Sequence, residues 1–226
     1  LTISFEKQGS SPGEGLRIVH QDDDIIVVEK PAGLLTIATA AEKTLTAYAL
    51  LNDWLRTGRV WVVHRLDRGT SGLLVFARSE SVKRSLQGEW SQVDKRYVAV
   101  VHGRLSEAQG TIRSYLRETA TLQVVSTPGP CADAREAITH YQVRSASDLY
   151  SMVDVRLETG RKHQIRVHLA LQGHPVVGDK RYGSTADPIQ RLALHAAELS
   201  LPHPRTGRKM SFSSPLPATF ASLLPG

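Results

Sequence analysis

Val62-Val63-His64-Arg65-Leu66-Asp67-Arg68-Gly69-Thr70-Ser71-Gly72, running on into Leu73-Leu74-Val75-Phe76, is the stretch on which the reading of this chain turns. An apolar run from Val60 to Val63 enters it and another from Leu73 to Phe76 leaves it. Both runs are short and rich in branched residues, so they are expected as buried strands. Between them His64, Arg65, Asp67 and Arg68 crowd their charge into one loop, and Gly69 and Gly72 are expected to turn the chain back. A carboxylate flanked by two arginines at the lip of a sheet is favoured in its ionised form. That suits a nucleophile or a base in a site for something anionic. A solvated ion cluster on a strand-loop-strand is the commoner origin of an Arg-x-Asp-Arg stretch, and these residues alone leave both readings open.

Outward from the loop, the pattern alternates between strands and short helices. Residues 1–15 are polar, with Gly9-Ser10-Ser11-Pro12-Gly13, and are expected as a flexible N-terminal arm. Ile25 to Lys30 reads as a strand ended by Pro31 and a Gly33 turn, which sets Lys30 at a strand end, where a surface lysine is the bland reading. A helix is expected over 44–56, capped by Thr44, and a second over 79–90, capped by Ser79. Lys95 to Gly103 reads as a strand with Tyr97, Ala99 and Val101 on one face. Residues 111–157 look all-β, and the last of these strands, Tyr150 to Leu157, alternates clearly. A helix is expected to open at Thr159-Gly160 and to close at Gly173, with Arg166 held half-buried near its start and in need of a carboxylate partner. Strands are expected within 192–201 and 209–213, and a short helix over 218–224. Strands intermixed with few helices indicate an α+β class and one domain over 16–226.

Composition narrows the class of partner. Of 226 residues, 41% are hydrophobic and 22% charged, the balance of an ordinary globular chain. No apolar run approaches the roughly 18 residues of a membrane span, and no signal-peptide pattern is seen. The lone Cys131 excludes an internal disulfide and fits a reducing, cytoplasmic setting. The net charge is +6 and the sequence pI about 9.6. Arg65, Arg68, Lys95, Arg96, Arg161, Lys162, Arg166, Lys180 and Arg181 recur beside the candidate motifs, a better argument for a polyanionic ligand than the total charge, with several unrelated solvated faces as the open alternative. There is no phosphate-binding Gly-x-x-x-x-Gly-Lys-Ser/Thr loop and no Gly-x-Gly-x-x-Gly. His163 and His168 do not have the i, i+4 spacing of a helical zinc pair and enclose no carboxylate, so no metal is expected. Gly69-Thr70-Ser71-Gly72 lacks the spacing of a nucleophile elbow.

Taken together, several motifs resemble one family. His64-Arg65-Leu66-Asp67 with Thr70-Ser71-Gly72, the Lys30-Pro31-x-Gly33 turn, Lys95-x-Tyr97, and Thr159-Gly160-Arg161-x-His163-Gln164-Ile165-Arg166-x-His168 followed by Gly178-Asp179 closely resemble the RluA-type RNA pseudouridine synthases, from about residue 18 to about residue 213. The resemblance implies a catalytic domain with a mixed, mostly antiparallel sheet, flanking helices and a central active-site cleft. It implies conversion of a uridine within RNA to pseudouridine, without cofactor or metal, by a cytoplasmic, monomeric enzyme acting on ribosomal RNA, which is favoured, or on transfer RNA. Some relatives carry an upstream S4-type RNA-binding domain, for which residues 1–15 are too short. By position, Asp67 matches the family's essential aspartate, acting as nucleophile or as base. Arg166 matches the arginine that pairs with that aspartate, and Tyr97 the tyrosine that packs on the flipped uracil and is implied in removing its C5 proton. Ile165 is implied as an apolar contact beside the base, Arg65 as the side chain entering the space the uridine leaves, and Lys30 and Arg161 as supports or phosphate contacts. The rivals are a catalytically silent RNA-binding module of the same fold and a nucleic-acid glycosidase, for which Asp179 would be the second carboxylate.

Overall fold

The structure, a computed structural model, describes residues 11–40 and 42–224; most of the expected N-terminal arm lies outside the described residues. The chain divides into two compact units, one of residues 1–94 and 196–215, the other of residues 95–195 and 216–226.

The first unit is built on β2 and β4, whose sequences are apolar on both faces because both faces are covered. Its strands are β1 (Arg17–Gln21), β2 (Ile25–Lys30), β3 (Trp61–Val62), β4 (Ser71–Ala77), β10 (Leu194–Pro202) and β11 (Lys209–Ser213). They run in the order β1-β2-β4-β10, with β11 on β10 and β3 on β4. β2 pairs antiparallel with β4 over its whole length, Ile25 opposite Ala77 and Lys30 opposite Gly72. The hairpin expected around Asp67 is present, with Val62 opposite Phe76. Ile25, Val27, Leu73, Val75, Leu199 and Leu201 form a core under α2 (Glu80–Gly88), with Trp61 and Trp90 packed against it. Ser79 caps α2, as expected, accepting from the Val82 amide. Helix α1 (Ala47–Trp54) starts later than the sequence suggests. Thr46 caps it, and Glu42 instead gathers the amides of Thr44 and Leu45 into a turn ahead of the helix.

The second unit is an antiparallel sheet of β5 (Asp94–His102), β6 (Gln109–Glu118), β7 (Val124–Thr127), β8 (Arg135–Ala146) and β9 (Tyr150–Leu157), in the order β5-β9-β8-β6-β7. Helix α3 (Gln164–Leu171) packs on one face of it, and the short α4 (Ala218–Ala221) buries Phe220. The sequence places the start of α3 at Thr159, but the structure starts it at Gln164. The side-chain oxygen of Gln164 accepts from the Arg161 amide and from the Thr159 hydroxyl, which closes residues 159–163 into a turn. His163 then enters the helix in the left-handed region, at φ 55°. Antiparallel sheets with few helices make this an α+β protein.

His168 on α3 is wholly buried, with Nδ1 2.8 Å from the Thr139 hydroxyl and Nε2 3.0 Å from the Ser114 hydroxyl. Burial pushes its imidazole down to about 4. A folded-state value below the unfolded one means that the unfolded chain takes up the proton first as pH falls. The stability held by neutral His168 is therefore complete above about pH 6.5 and is lost as pH falls toward 4. Chemical denaturation across that window should show a loss of roughly 2–3 kcal/mol in wild type and a flatter slope in His168→Asn.

Candidate active site

The Asp67 loop has no regular structure, yet its main chain is held from several sides. Thr36 grips Leu66 twice, its hydroxyl donating to the Leu66 carbonyl at 2.9 Å and accepting from the Leu66 amide at 3.1 Å. The Gly33 amide donates to the Arg68 carbonyl at 2.8 Å, and Arg68 Nε returns a bond to the Gly33 carbonyl at 3.0 Å. Lys30 completes the frame. Its ammonium donates to the carbonyls of Pro31 at 2.9 Å, Leu34 at 2.7 Å and Arg68 at 3.3 Å. Its exposure is 0%, so of the two roles expected for it, support fits and a phosphate contact does not; the surface reading of this lysine is corrected. A charged ammonium is tolerated there because carbonyl dipoles replace water around it.

Side chains alternate around this frame. Val63, Leu66 and Thr70 point inward, Asp67 is half-buried, and Arg65 and Arg68 are exposed. The loop thus offers a carboxylate and two guanidinium groups from a backbone fixed by buried anchors. His64 is structural: its Nε2 accepts the Val75 amide at 3.1 Å, and its ring lies 4.5 Å from that of Trp90. Arg68-Gly69 forms the turn, whereas Gly72 already lies in β4. Gly72 sits at φ +111°, where a Cβ would meet the Ala196 carbonyl oxygen at 2.2 Å, so the glycine is demanded by the neighbouring strand.

The remaining expected residues sit in the second unit. Tyr97 on β5 pairs with Val155, and Val155 pairs with Tyr141 on β8, which places these side chains on one face of the sheet. Thr139, two residues from Tyr141, shares that face and receives Gln164 and His168 of α3. Tyr97 therefore lies on the face that carries α3. Ile165 is buried on that helix. Arg161 is exposed, and its Nε donates to the Glu136 carbonyl at 2.9 Å. Lys162 beside it pairs with Glu118.

Arg166 has the carboxylate partner its position on α3 required, and within this unit that partner is Asp179. Nε donates to Oδ2 at 2.7 Å and Nη2 to Oδ1 at 2.9 Å, with the Asp179 side chain only 1% exposed. Sequence reasoning quoted Asp179 in the Gly178-Asp179 motif and weighed it as a glycosidase's second carboxylate, but did not pair it with Arg166. It missed Thr36 and Tyr182 altogether, since a single threonine in a turn and a tyrosine in a Gly-rich loop carry no local signal.

Among the described residues, Asp22, Asp24 and His203 could together present ligand atoms to a metal, within 4.8 Å of one another. Those atoms already serve the fold. Asp22 accepts from the amides of Asp24 and Ile25, His20 lies 2.7 Å from it, and Arg205 donates to Asp24 at 2.7 Å. Burial raises the Asp22 carboxyl, but its bonds to His20, Ile25 and Asp24 outweigh that and leave it below its ordinary value. The cluster ties the β1–β2 turn to the loop after β10.

A family model described as RNA pseudouridylate synthase matches residues 24–171. The chain is 36% identical over 218 residues to the uncharacterized RNA pseudouridine synthase YjbO of Bacillus subtilis, covering 93% of this chain and 76% of that protein. It is 35% identical over 229 residues to ribosomal large subunit pseudouridine synthase D of Haemophilus influenzae, covering 92% of this chain and 70% of that protein. Among solved structures, human RNA pseudouridylate synthase domain containing 1 is similar at a TM-score of 0.75 and 28% identity, over 92% of this chain and 86% of that one. Human RNA pseudouridylate synthase domain containing 4 is similar at a TM-score of 0.76 and 25% identity, over 91% and 90%.

Proposed function

The chain belongs to the RNA pseudouridylate synthase family and is an isomerase acting on RNA; from that premise we propose that it isomerises uridine in ribosomal RNA, with Asp67 as the reacting carboxylate. The observation that carries the assignment is the half-buried Asp67 on a loop whose backbone is anchored by Thr36, Gly33 and a buried Lys30. Pre-set carboxylate geometry of this kind lowers the reorganisation needed at reaction. Ribosomal RNA as the substrate is supported by the name of the Haemophilus influenzae relative. On this reading the enzyme works in the cytoplasm.

The chemistry conserves every atom. The N1–C1′ bond breaks, the uracil turns, C5 bonds to C1′, the C5 proton leaves, and N1 takes one up. A stacked uridine hides C1′ and C5, so the base has to be extruded at a cost of a few kcal/mol. Loops and bulges lower that cost. On the same reading Arg65, exposed beside Asp67, fills the space the uridine leaves, and the exposed Arg161 contacts phosphate. Tyr97 packs on the flipped uracil and Ile165 backs it with apolar surface, with Arg166 supplying positive charge beside the base. A glycosidase needs a second carboxylate as its acid, and both oxygens of Asp179 are taken by Arg166.

Release of C5 tritium from uridine-labelled RNA tests the assignment, since the label leaves only when C5 takes up the sugar. Release from ribosomal RNA and not from transfer RNA is the expected outcome, and release confined to transfer RNA would overturn the substrate. Tyr97→Phe keeps the stacking ring and removes the hydroxyl. Its single-turnover rate should fall by roughly 10²-fold with RNA binding unchanged. A wild-type rate would take the hydroxyl out of C5 deprotonation.

A further inference from the structure

The Arg166 side chain is constrained in two dimensions. Asp179 holds the guanidinium edge-on through two bonds, which fixes its in-plane direction. The Tyr182 ring lies 5.0 Å from its central carbon and covers its face. Tyr182 is itself tied down. Its phenol oxygen accepts from the Val124 amide at 3.1 Å and lies 2.7 Å from His163 Nδ1, and the two rings meet edge to face at 5.6 Å and 75°. The Tyr182 amide bonds the Asp179 carbonyl at 3.1 Å, so both contacts on Arg166 come from one loop. β7, that loop and the residue entering α3 thus converge on a single arginine.

Packing alone does not call for this arrangement. A buried carboxylate–guanidinium pair is often no more stabilising than apolar side chains of the same volume, and its retention points to a demand on geometry. We infer that Tyr182 is a positioning residue, locking the Arg166 guanidinium in the one orientation that the uridine reaction uses. The inference rests on the reading above that Arg166 belongs to the reaction machinery. Burial raises the Tyr182 phenol, so it stays neutral and keeps its proton for His163. With the Val124 amide donating to the phenol oxygen, that proton is the natural donor to Nδ1.

The test is a double-mutant cycle read as single-turnover rate at saturating enzyme, with RNA affinity measured alongside. Tyr182→Phe keeps the ring over Arg166 and loses only the tether to Val124 and His163; a drop of about 3- to 10-fold in rate with unchanged RNA affinity is expected. Tyr182→Leu loses the ring as well, and a drop of about 10²-fold is expected. In an Arg166→Lys background, Tyr182→Leu should cost less than about twofold more, because nothing remains to be positioned. Additive losses, or losses confined to RNA affinity, would overturn the positioning role. A wild-type rate in Tyr182→Phe would overturn it without recourse to the double variant. If Arg166→Lys itself turns over like wild type, the role of Arg166 fails first and Tyr182 falls with it. That outcome is distinct from a slow Arg166→Lys whose losses add.

Discussion

Asp67→Asn is expected to bind RNA as wild type does and to release no C5 tritium from it, a loss of at least about 10⁴-fold in turnover. The substitution keeps the shape and removes the charge. An amide neither attacks carbon nor accepts a proton at useful rates, so either chemistry open to Asp67 stops. The fold is expected to survive because the anchors of the loop hold main chain around Asp67: Thr36 on Leu66, and Gly33 and Lys30 on Arg68. The Asp67 carbonyl, which accepts from the Thr70 amide at 3.1 Å, is also untouched. Filter binding and thermal unfolding alongside the tritium assay separate a chemical defect from a folding one. Turnover within tenfold of wild type would end the assignment of Asp67.

Lys30→Met is expected to be the most damaging change away from the reacting groups. It leaves the carbonyls of Pro31, Leu34 and Arg68 without their ammonium donor in a site with 0% exposure. The Arg68 carbonyl keeps the Gly33 amide, whereas those of Pro31 and Leu34 lose the ammonium; desolvated carbonyls without donors cost about 1–3 kcal/mol each before relaxation, so a net loss on the order of 3 kcal/mol is expected in urea denaturation. The Arg68 carbonyl belongs to the Asp67 loop, so activity should fall further than stability explains. That excess should appear in assays run at a temperature where the variant is fully folded. Lys30→Arg, whose larger planar head does not fit the same three oxygens, should not rescue it. A variant with wild-type stability and rate would show that the loop is held without Lys30.

Local physics made much of the fold legible in advance. Apolar runs with turn residues at their ends placed β2, β9 and β11 at their observed bounds. Ser79 marked the start of α2 because an N-cap is a local bond between a hydroxyl and an amide three residues on. The starts of α1 and α3 were misplaced for an equally local reason. Glu42 and Gln164 use side-chain oxygens to close turns that compete with a helical first turn, and periodicity does not register such bonds. The candidate residues were named through the resemblance of several motifs taken together; the loop His64-Arg65-Leu66-Asp67-Arg68-Gly69 by itself left a solvated ion cluster open.

Their environment was not legible in the sequence. Lys30 reads as a surface lysine until the Arg68 carbonyl and the turn after β2 close over it. Gly72 reads as a turn residue until β10 passes within a methyl group's reach of it. Arg166 asks for a carboxylate from its place on the helix, yet only the folded loop brings Asp179 and the Tyr182 ring to it. Strand periods, caps and turns depend on residues a few positions apart, and the order of residues carries that information directly. Burial, partner choice and close backbone approach depend on which distant segments meet, and only the packed chain settles those.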